Sequence, residues 1–380
     1  MRIAIDIRTV TPVRSGVGNY VLNLLEALRR VAPQHQYFLI GLQNNLDTLG
    51  WSDEEEQTYR TAISHESHPL GDMWEHCWLP RVLERNRVDV LHGPATLIPL
   101  REGAYASVVT VHDLVAFLFP ETIPRKYAVY MRWLLTRVVK RADRIISVSY
   151  NTKEDLVRIL GVDPEKITVV HEAAQPQFRP IKDENKLEQV RRRYGIPGPF
   201  IYHVGNIEPR KNLVRLVKAF MLARQRLHSP VRLVITGQKG WLTGKLFRSL
   251  GGLELGDHVI FTGYVPHQEL PLLMNAARAF VFPSLYEGFG LPVLEAMSCG
   301  TPVVTSNISS LPEIVGRAAV LVDPNDLDSI AEGMVRVLED EGLRWKLSAE
   351  GLVQARRFSW DKAAQETLRV FLQAYLEKGV

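Results

Sequence analysis

Short apolar runs rich in β-branched residues alternate along the whole chain with stretches of helix length and amphipathic spacing. In the first half the runs are Ile3–Ile7, Tyr37–Leu42, Asp89–His92, Ser107–His112, Arg144–Ser149 and Ile167–Glu172. In the second they are Phe200–Val204, Val231–Thr236, His258–Thr262, Ala279–Pro283, Pro302–Ser306 and Ala319–Val322. Helical spacing falls between them, at Gly18–Val31, Asp72–Asn86, Lys126–Ala142, Asn151–Leu160, Leu213–Arg226, Gln268–Ala277, Pro292–Ser298 and Leu327–Leu338. Runs that are apolar throughout, instead of alternating, predict strands buried on both faces, as in parallel sheets covered by helices. Repeated βα units in both halves predict an α/β protein of two doubly wound, Rossmann-like domains. The break is expected near Gln175–Ile181, where Pro176 and Pro180 precede a charged helix at Lys182–Tyr194. The domains then span residues 1–178 and 179–360. A last amphipathic stretch, Asp361–Leu376, has no strand after it.

Composition agrees with that division. A length of 380 residues suits two domains. With 46% hydrophobic and 23% charged residues, a disordered or fibrous chain is excluded. No run approaches the ~18 apolar residues of a membrane-spanning helix. The opening, Met1 to Ile7, alternates like a strand and lacks the apolar core of a signal peptide, so a soluble, cytoplasmic protein is expected. Cys77 and Cys299 stand too far apart for a disulfide framework or a zinc site.

The net charge is +4 and the sequence pI about 9.0, which raises nucleic acid as a partner. Residues 1–180 hold equal numbers of basic and acidic side chains, so the remainder carries the whole excess. Neither half is a polycation, and no nucleic-acid partner is expected. One local feature remains: Arg125 to Arg144 contains seven basic residues and one acidic residue, Asp143. On a helix, Lys126, Arg137, Lys140, Arg141 and Arg144 fall within an arc of about 100° with Tyr130 and Trp133. Tyr127, Met131, Leu134, Leu135, Val138 and Ala142 take the next arc, toward the sheet. Such a face suits either solvent or an anionic membrane surface beside a lipid-linked acceptor.

Ligands of open α/β sheets bind beyond the carboxyl ends of strands, where loops lead into helix N-termini. Four such junctions carry unusual residues. Gly16-Val17-Gly18 follows the first run and permits close backbone approach to an anion. His112-Asp113 closes the run Ser107–Val111, where an imidazole can serve a phosphate or hydroxyl, or simply cap the core. Glu208-Pro209-Arg210-Lys211-Asn212 sets two cations beside a helix N-terminus, which the macrodipole disfavours unless an anion neutralises them. Finally, Glu287-Gly288-Phe289-Gly290-Leu291 leads to Pro292 and Glu295, where carboxylates can bind the vicinal diols of ribose or a hexose.

Taken in this order, with Leu311–Gly316, Val322-Asp323-Pro324 and Phe358-Ser359-Trp360, these segments resemble family 4 of the retaining nucleotide-sugar glycosyltransferases. Within it they look most like the mannosyltransferase branch. That resemblance implies the GT-B fold, two facing domains with a cleft between them, and a C-terminal helix, 361–380, that completes the N-terminal, acceptor-binding domain. It implies that Arg210, Lys211 and backbone amides at Gly16 and Val17 bind the donor diphosphate, and that Glu295 holds the ribose. Glu287 and the amides of Phe289, Gly290 and Leu291 would hold the transferred sugar, and His112 the sugar or leaving phosphate. The base would lie against Gly263-Tyr264-Val265. Asn206 stands where several relatives carry an additional Arg, which would leave the diphosphate to Arg210 and Lys211. Fixed cations can stabilise the leaving group electrostatically, so neither cofactor nor metal is expected. Asp53-Glu54-Glu55-Glu56, the densest acidic run, falls in a loop and not at a strand end. The partners implied are a nucleotide sugar, best read as GDP-mannose, and a glycan or polyprenyl-diphosphate-linked acceptor. A nucleotide-sugar epimerase of the same fold, or a non-catalytic sugar-nucleotide-binding protein, are the alternatives.

Overall fold

The computed structural model describes residues 1–11, 16–49, 57–63, 70–238, 249–251 and 255–379. Two compact units divide the chain. The first comprises residues 1–117, 129–172 and 359–380, the second 118–128 and 173–358.

The first unit is built on a seven-stranded, wholly parallel sheet. Its strands are β1 (Arg2–Asp6), β2 (Gln36–Leu42), β3 (Gln57–Thr61), β4 (Val90–Gly93), β5 (Ala106–Val111), β6 (Arg144–Ser147) and β7 (Ile167–Val169), in the order β3-β2-β1-β4-β5-β6-β7. β4 and β5 are buried along their whole length, including the polar His92, Ser107 and Thr110, as strands covered on both faces are. The edge strand β3, Gln-Thr-Tyr-Arg-Thr, escapes that pattern because it faces partly to solvent. The helical stretch before β4 is not uniform: Leu70–Met73 and Leu79–Arg85 flank a π-helical turn at Trp74–Trp78.

The chain returns to this unit at its end. Helix Trp360–Lys378 is capped by the Ser359 hydroxyl, which accepts from Lys362 N at 3.2 Å. Trp360 packs against Tyr20 with centroids 5.9 Å apart, Phe371 against His92 at 5.1 Å, and Arg144 pairs with Glu377.

The last contact corrects the expected face of the basic helix. The helix ends at Arg141, so Arg144, in β6, does not continue its phase. Arg141 is also withdrawn, 3.9 Å from Asp143, and Tyr127 is exposed in the first turn. The outward residues are Arg125, Lys126, Val129, Trp133, Arg137 and Lys140, with the Arg137 guanidinium 4.4 Å above the Trp133 ring.

The second unit holds a six-stranded parallel sheet: β8 (Phe200–Val204), β9 (Arg232–Thr236), β10 (Val259–Gly263), β11 (Ala279–Phe282), β12 (Val303–Ser306) and β13 (Ala319–Val322). The order is β10-β9-β8-β11-β12-β13. Helices Leu213–Arg224 and Leu327–Glu339 bury Leu216, Phe220, Ile330 and Met334 against one face. Helix Glu341–Ala355 was not foreseen, because two glycines interrupt its apolar spacing. One of them, Gly351, faces helix Leu291–Ser298, where an added Cβ would lie 3.7 Å from Met297, an ordinary contact.

Each sheet has a point where the strand order reverses: between β1 and β4 in the first unit, and between β8 and β11 in the second. Crevices for ligands open there, at the carboxyl ends. No helix among the described residues is long and apolar enough to cross a membrane.

Candidate active site

In the second unit, the reversal joins two segments far apart in sequence. β8 runs into Gly205–Asn212, and its neighbour β11 runs into Pro283–Gly290. Asn212 fastens them. It adopts φ +60, which asparagine tolerates better than most residues, and its amide donates to Pro283 O at 3.0 Å and Pro324 O at 2.7 Å. Leu285 N donates to Arg210 O at 2.9 Å. Arg210 and Lys211 are thereby held over the Glu287 loop.

Glu287 is the hub. Lys211 Nζ donates to its Oε1 at 2.7 Å, Arg210 Nη1 to its Oε2 at 2.9 Å, and Ser284 Oγ to Oε1 at 2.5 Å. Burial alone would raise the carboxyl pKa, but Arg210 and Lys211 outweigh it and pull it down to about 2. Glu287 is therefore ionised at neutral pH and a poor general base. Lys211, 7% exposed, has its own proton affinity lowered, first by burial and then by Arg210, against the opposing carboxylates. Its ammonium also lies 5.0 Å from the centroid of Phe282, on which His203 stacks at 5.3 Å.

The two cations expected to await an anion are already balanced. Arg210 pairs with Glu208 Oε1 at 2.7 Å as well as with Glu287. Helix stability therefore does not demand a bound phosphate. What the arrangement leaves open is donor and acceptor capacity. An ammonium has three N–H groups and an ionised carboxylate about four lone pairs. Lys211 uses one N–H on Glu287, and Glu287 accepts three bonds, leaving a lone pair on Oε2.

The Glu287 loop is braced by hydroxyls that sequence reasoning did not single out. Ser309 Oγ donates to Glu287 O at 2.7 Å and accepts from Glu287 N at 3.0 Å, while Ser310 Oγ donates to Phe289 O at 2.6 Å. They reach the loop from the segment after β12, about 20 residues away in sequence, so no local spacing signals them.

Other expected site residues fall as follows. Gly290 adopts φ +113 at the start of helix Leu291–Ser298, where Pro292 has no N–H and Val293 N donates to Gly290 O at 3.0 Å. Phe289 is buried against Phe358, 5.9 Å away, and Leu291 is half-buried. Glu295 is buried one turn into the helix. Tyr264 is 56% exposed past β10, but Val265 is buried, so only the tyrosine offers a ring at the surface. Gly16 and Val17 belong to the first turn of helix Gly16–Val31 and not to the preceding loop, whose residues 12–15 lie outside the described residues, as does the acidic run 53–56.

In the first unit, His112 follows β5 with both ring nitrogens engaged: Nδ1 with Glu172 Oε1 at 3.1 Å, and Nε2 with Pro94 O at 2.8 Å. A ring so occupied has no nitrogen spare for a sugar or phosphate without giving up a bond. Two strands away, at the carboxyl end of β1, Arg8 is 1% exposed and pairs with Asp6 at 2.5 Å and with Glu75 on the π-turn. Its guanidinium lies 4.5 Å over Trp74. This buried charge cluster, and Glu172, went unnoticed in sequence because their partners lie 60 or more residues distant or pair at a spacing that reads as surface.

Residues 14–177 match the model of Glycosyltransferase Family 4, and residues 188–353 that of Glycosyl transferases group 1. The chain is 34% identical over 369 residues to O-antigen chain mannosyltransferase B of Escherichia coli, covering 94% of this chain and 96% of that one. It is 32% identical to the serotype-specific mannosyltransferase WbdA of Escherichia coli, over 72% of this chain and 34% of that protein. The crystal structure of Anabaena Alr3699/HepE in complex with UDP and glucose superposes with a TM-score of 0.76 at 17% identity, covering 98% of this chain and 100% of that one. With two Rossmann-like parallel sheets of the GT-B class and near full-length similarity, the chain belongs to glycosyltransferase family 4.

Proposed function

We propose that this glycosyltransferase moves a hexose, best read as mannose from GDP-mannose, onto a growing surface glycan or polyprenyl-diphosphate-linked acceptor. The observation that carries the reading is the Arg210–Lys211–Glu287 cluster at the carboxyl ends of β8 and β11. The two unused N–H groups of Lys211 suit a diphosphate oxygen, and the spare lone pair of Glu287 suits a hydroxyl of the transferred sugar. Glu287 is held by Arg210, Lys211 and Ser284 within the cluster itself, so little reorganisation is required as charge develops on the leaving group. Fixed cations can do here what a metal does elsewhere, which supports metal-independent transfer.

Departure and attack on one face of the sugar would retain the anomeric configuration without a protein nucleophile. A carboxyl with a pKa near 2 fits that scheme, since Glu287 then orients and does not abstract a proton. Mannose is favoured by the names of two relatives, both mannosyltransferases. The outward stripe Val129, Trp133, Arg137 and Lys140 supports peripheral docking on an anionic membrane, where a lipid-linked acceptor would lie. The test is a thermal-shift screen of GDP, UDP, ADP and dTDP sugars, since a ligand that binds the folded state raises its apparent stability. GDP-mannose should give the largest rise; silence with all four would sink the proposal.

A further inference from the structure

The second unit carries a cleft at the end of its sheet opposite the Arg210–Lys211–Glu287 cluster. It opens where Arg278 leads into β11 and Pro302 into β12, and helix Glu341–Ala355 lines its other side with Glu341, Arg344, Trp345 and Ser348. Its volume of about 310 Å³ falls within the ~300–1,000 Å³ typical of small-molecule sites. β11 spans Ala279–Phe282 between this cleft and the loop of Glu287, which separates the two by roughly 13 Å of strand.

Trp345 is 71% exposed, and its one polar atom, Nε1, donates to Glu341 Oε1 at 3.4 Å, one turn earlier on the helix. What it offers the cleft is therefore apolar ring. Arg344 is held from behind: Nη1 donates to Val337 O at 3.0 Å and Leu338 O at 2.5 Å, which leaves Nε and Nη2 for other partners. Among the described residues none pairs with the Arg278 side chain. A flat apolar ring beside N–H donors and a carboxylate acceptor complements a pyranose, with its C–H face and a rim of hydroxyls that both donate and accept. Glu341 opposes a phosphate, and three charged side chains around the ring oppose an apolar protein surface, which would have to strip them of water. We propose that this cleft is a second, non-catalytic carbohydrate site, which takes a pyranose of the glycan against Trp345 and retains a lengthened product between transfers. The ligand class rests on the reading of the protein as the builder of a surface glycan. A product held there meets the acceptor site again at raised effective concentration once it is long enough to span the distance, so long chains gain and short ones do not.

The test uses the full chain labelled with 15N at the tryptophan indoles, Trp345 being assigned by the signal lost in Trp345→Ala. With GDP in excess, that signal should shift as mannohexaose is added to the wild type. Turnover of Trp345→Ala with GDP-mannose and mannobiose should equal that of the wild type, while its products should be shorter, because chains leave after fewer transfers. Trp345→Phe, which keeps a ring, should recover most of the product length. An exposed position tolerates both changes, and circular dichroism checks the fold. A Trp345 signal that mannohexaose does not move overturns the proposal, as do products of wild-type length from Trp345→Ala. A dimer lost in Trp345→Ala, with the signal unmoved by mannohexaose, would overturn it too and make the cleft a contact between copies. Mannohexaose that shifts Trp345 in a chain transferring no mannose would support the site and overturn the reaction reading instead.

Discussion

Replacing Lys211 with alanine removes the side chain to which the proposed function assigns most of the donor's diphosphate binding. Its Nζ spends one N–H on Glu287 at 2.7 Å and keeps two for a ligand. Loss of one charge-assisted hydrogen bond to a diphosphate costs ~1.5–3 kcal/mol, which corresponds to a rise of about 10- to 150-fold in the dissociation constant. The fold should survive. Breaking a buried pair is most damaging, ~3–5 kcal/mol, when it strands a charge, but Glu287 would keep Arg210 at 2.9 Å and Ser284 at 2.5 Å. The protein would also lose an ammonium–ring contact with Phe282, 5.0 Å long and worth ~0.5–2 kcal/mol. Isothermal titration of the variant with GDP, paired with circular dichroism to confirm folding, gives the answer. A folded variant whose affinity stayed within about twofold of wild type would refute the assignment of Lys211 to the diphosphate.

Three further outcomes are expected. Glu287→Gln should cut transfer while largely sparing GDP affinity. It should also flatten acid sensitivity: the folded carboxyl sits near 2, below its unfolded value near 4.5, so its stabilisation is present above pH 4.5 and fades as pH falls toward 2. Urea unfolding of both proteins across that window should show a difference of ~3 kcal/mol closing as pH drops. Gly237→Ala would place Cβ 1.8 Å from Gly205 O, where the loops after β8 and β9 meet, and should cost ~3 kcal/mol or more with loss of GDP binding. Arg137→Glu with Lys140→Glu should reduce co-sedimentation with anionic vesicles without changing turnover on a soluble acceptor; equal sedimentation would remove the membrane contact.

Much of this was legible because the second sheet is written in unbroken apolar runs. Phe200–Val204 and Ala279–Phe282 are buried on both faces, and the loops that follow them carry the glycines and charges that stand out. Sequence reading failed where a role depends on partners distant along the chain. Arg210 and Lys211 were recognised as cations but not as already matched by Glu208 and Glu287, 76 residues separating Lys211 from the latter. Glu172 looked unremarkable until β5, β6 and β7 brought it to His112. The basic helix shows its expected face at Lys126, Trp133, Arg137 and Lys140 and its expected buried side at Leu134, Leu135 and Val138, but the periodicity does not extend past Arg141, where the helix ends before a strand. The partly exposed strand β3 and the glycine-broken helix Glu341–Ala355 lacked the hydrophobic spacing on which recognition rests.

In the proposed reaction a sugar leaves its nucleotide by charge stabilisation at Arg210, Lys211 and Glu287, without a protein nucleophile. Proton NMR of the reaction with GDP-mannose and a mannose-terminated acceptor, run with and without EDTA, tests it most directly. One GDP should be released per new linkage, with the anomeric configuration of the donor kept in the product and equal rates in both samples. Inverted configuration, or transfer abolished by EDTA, would contradict it.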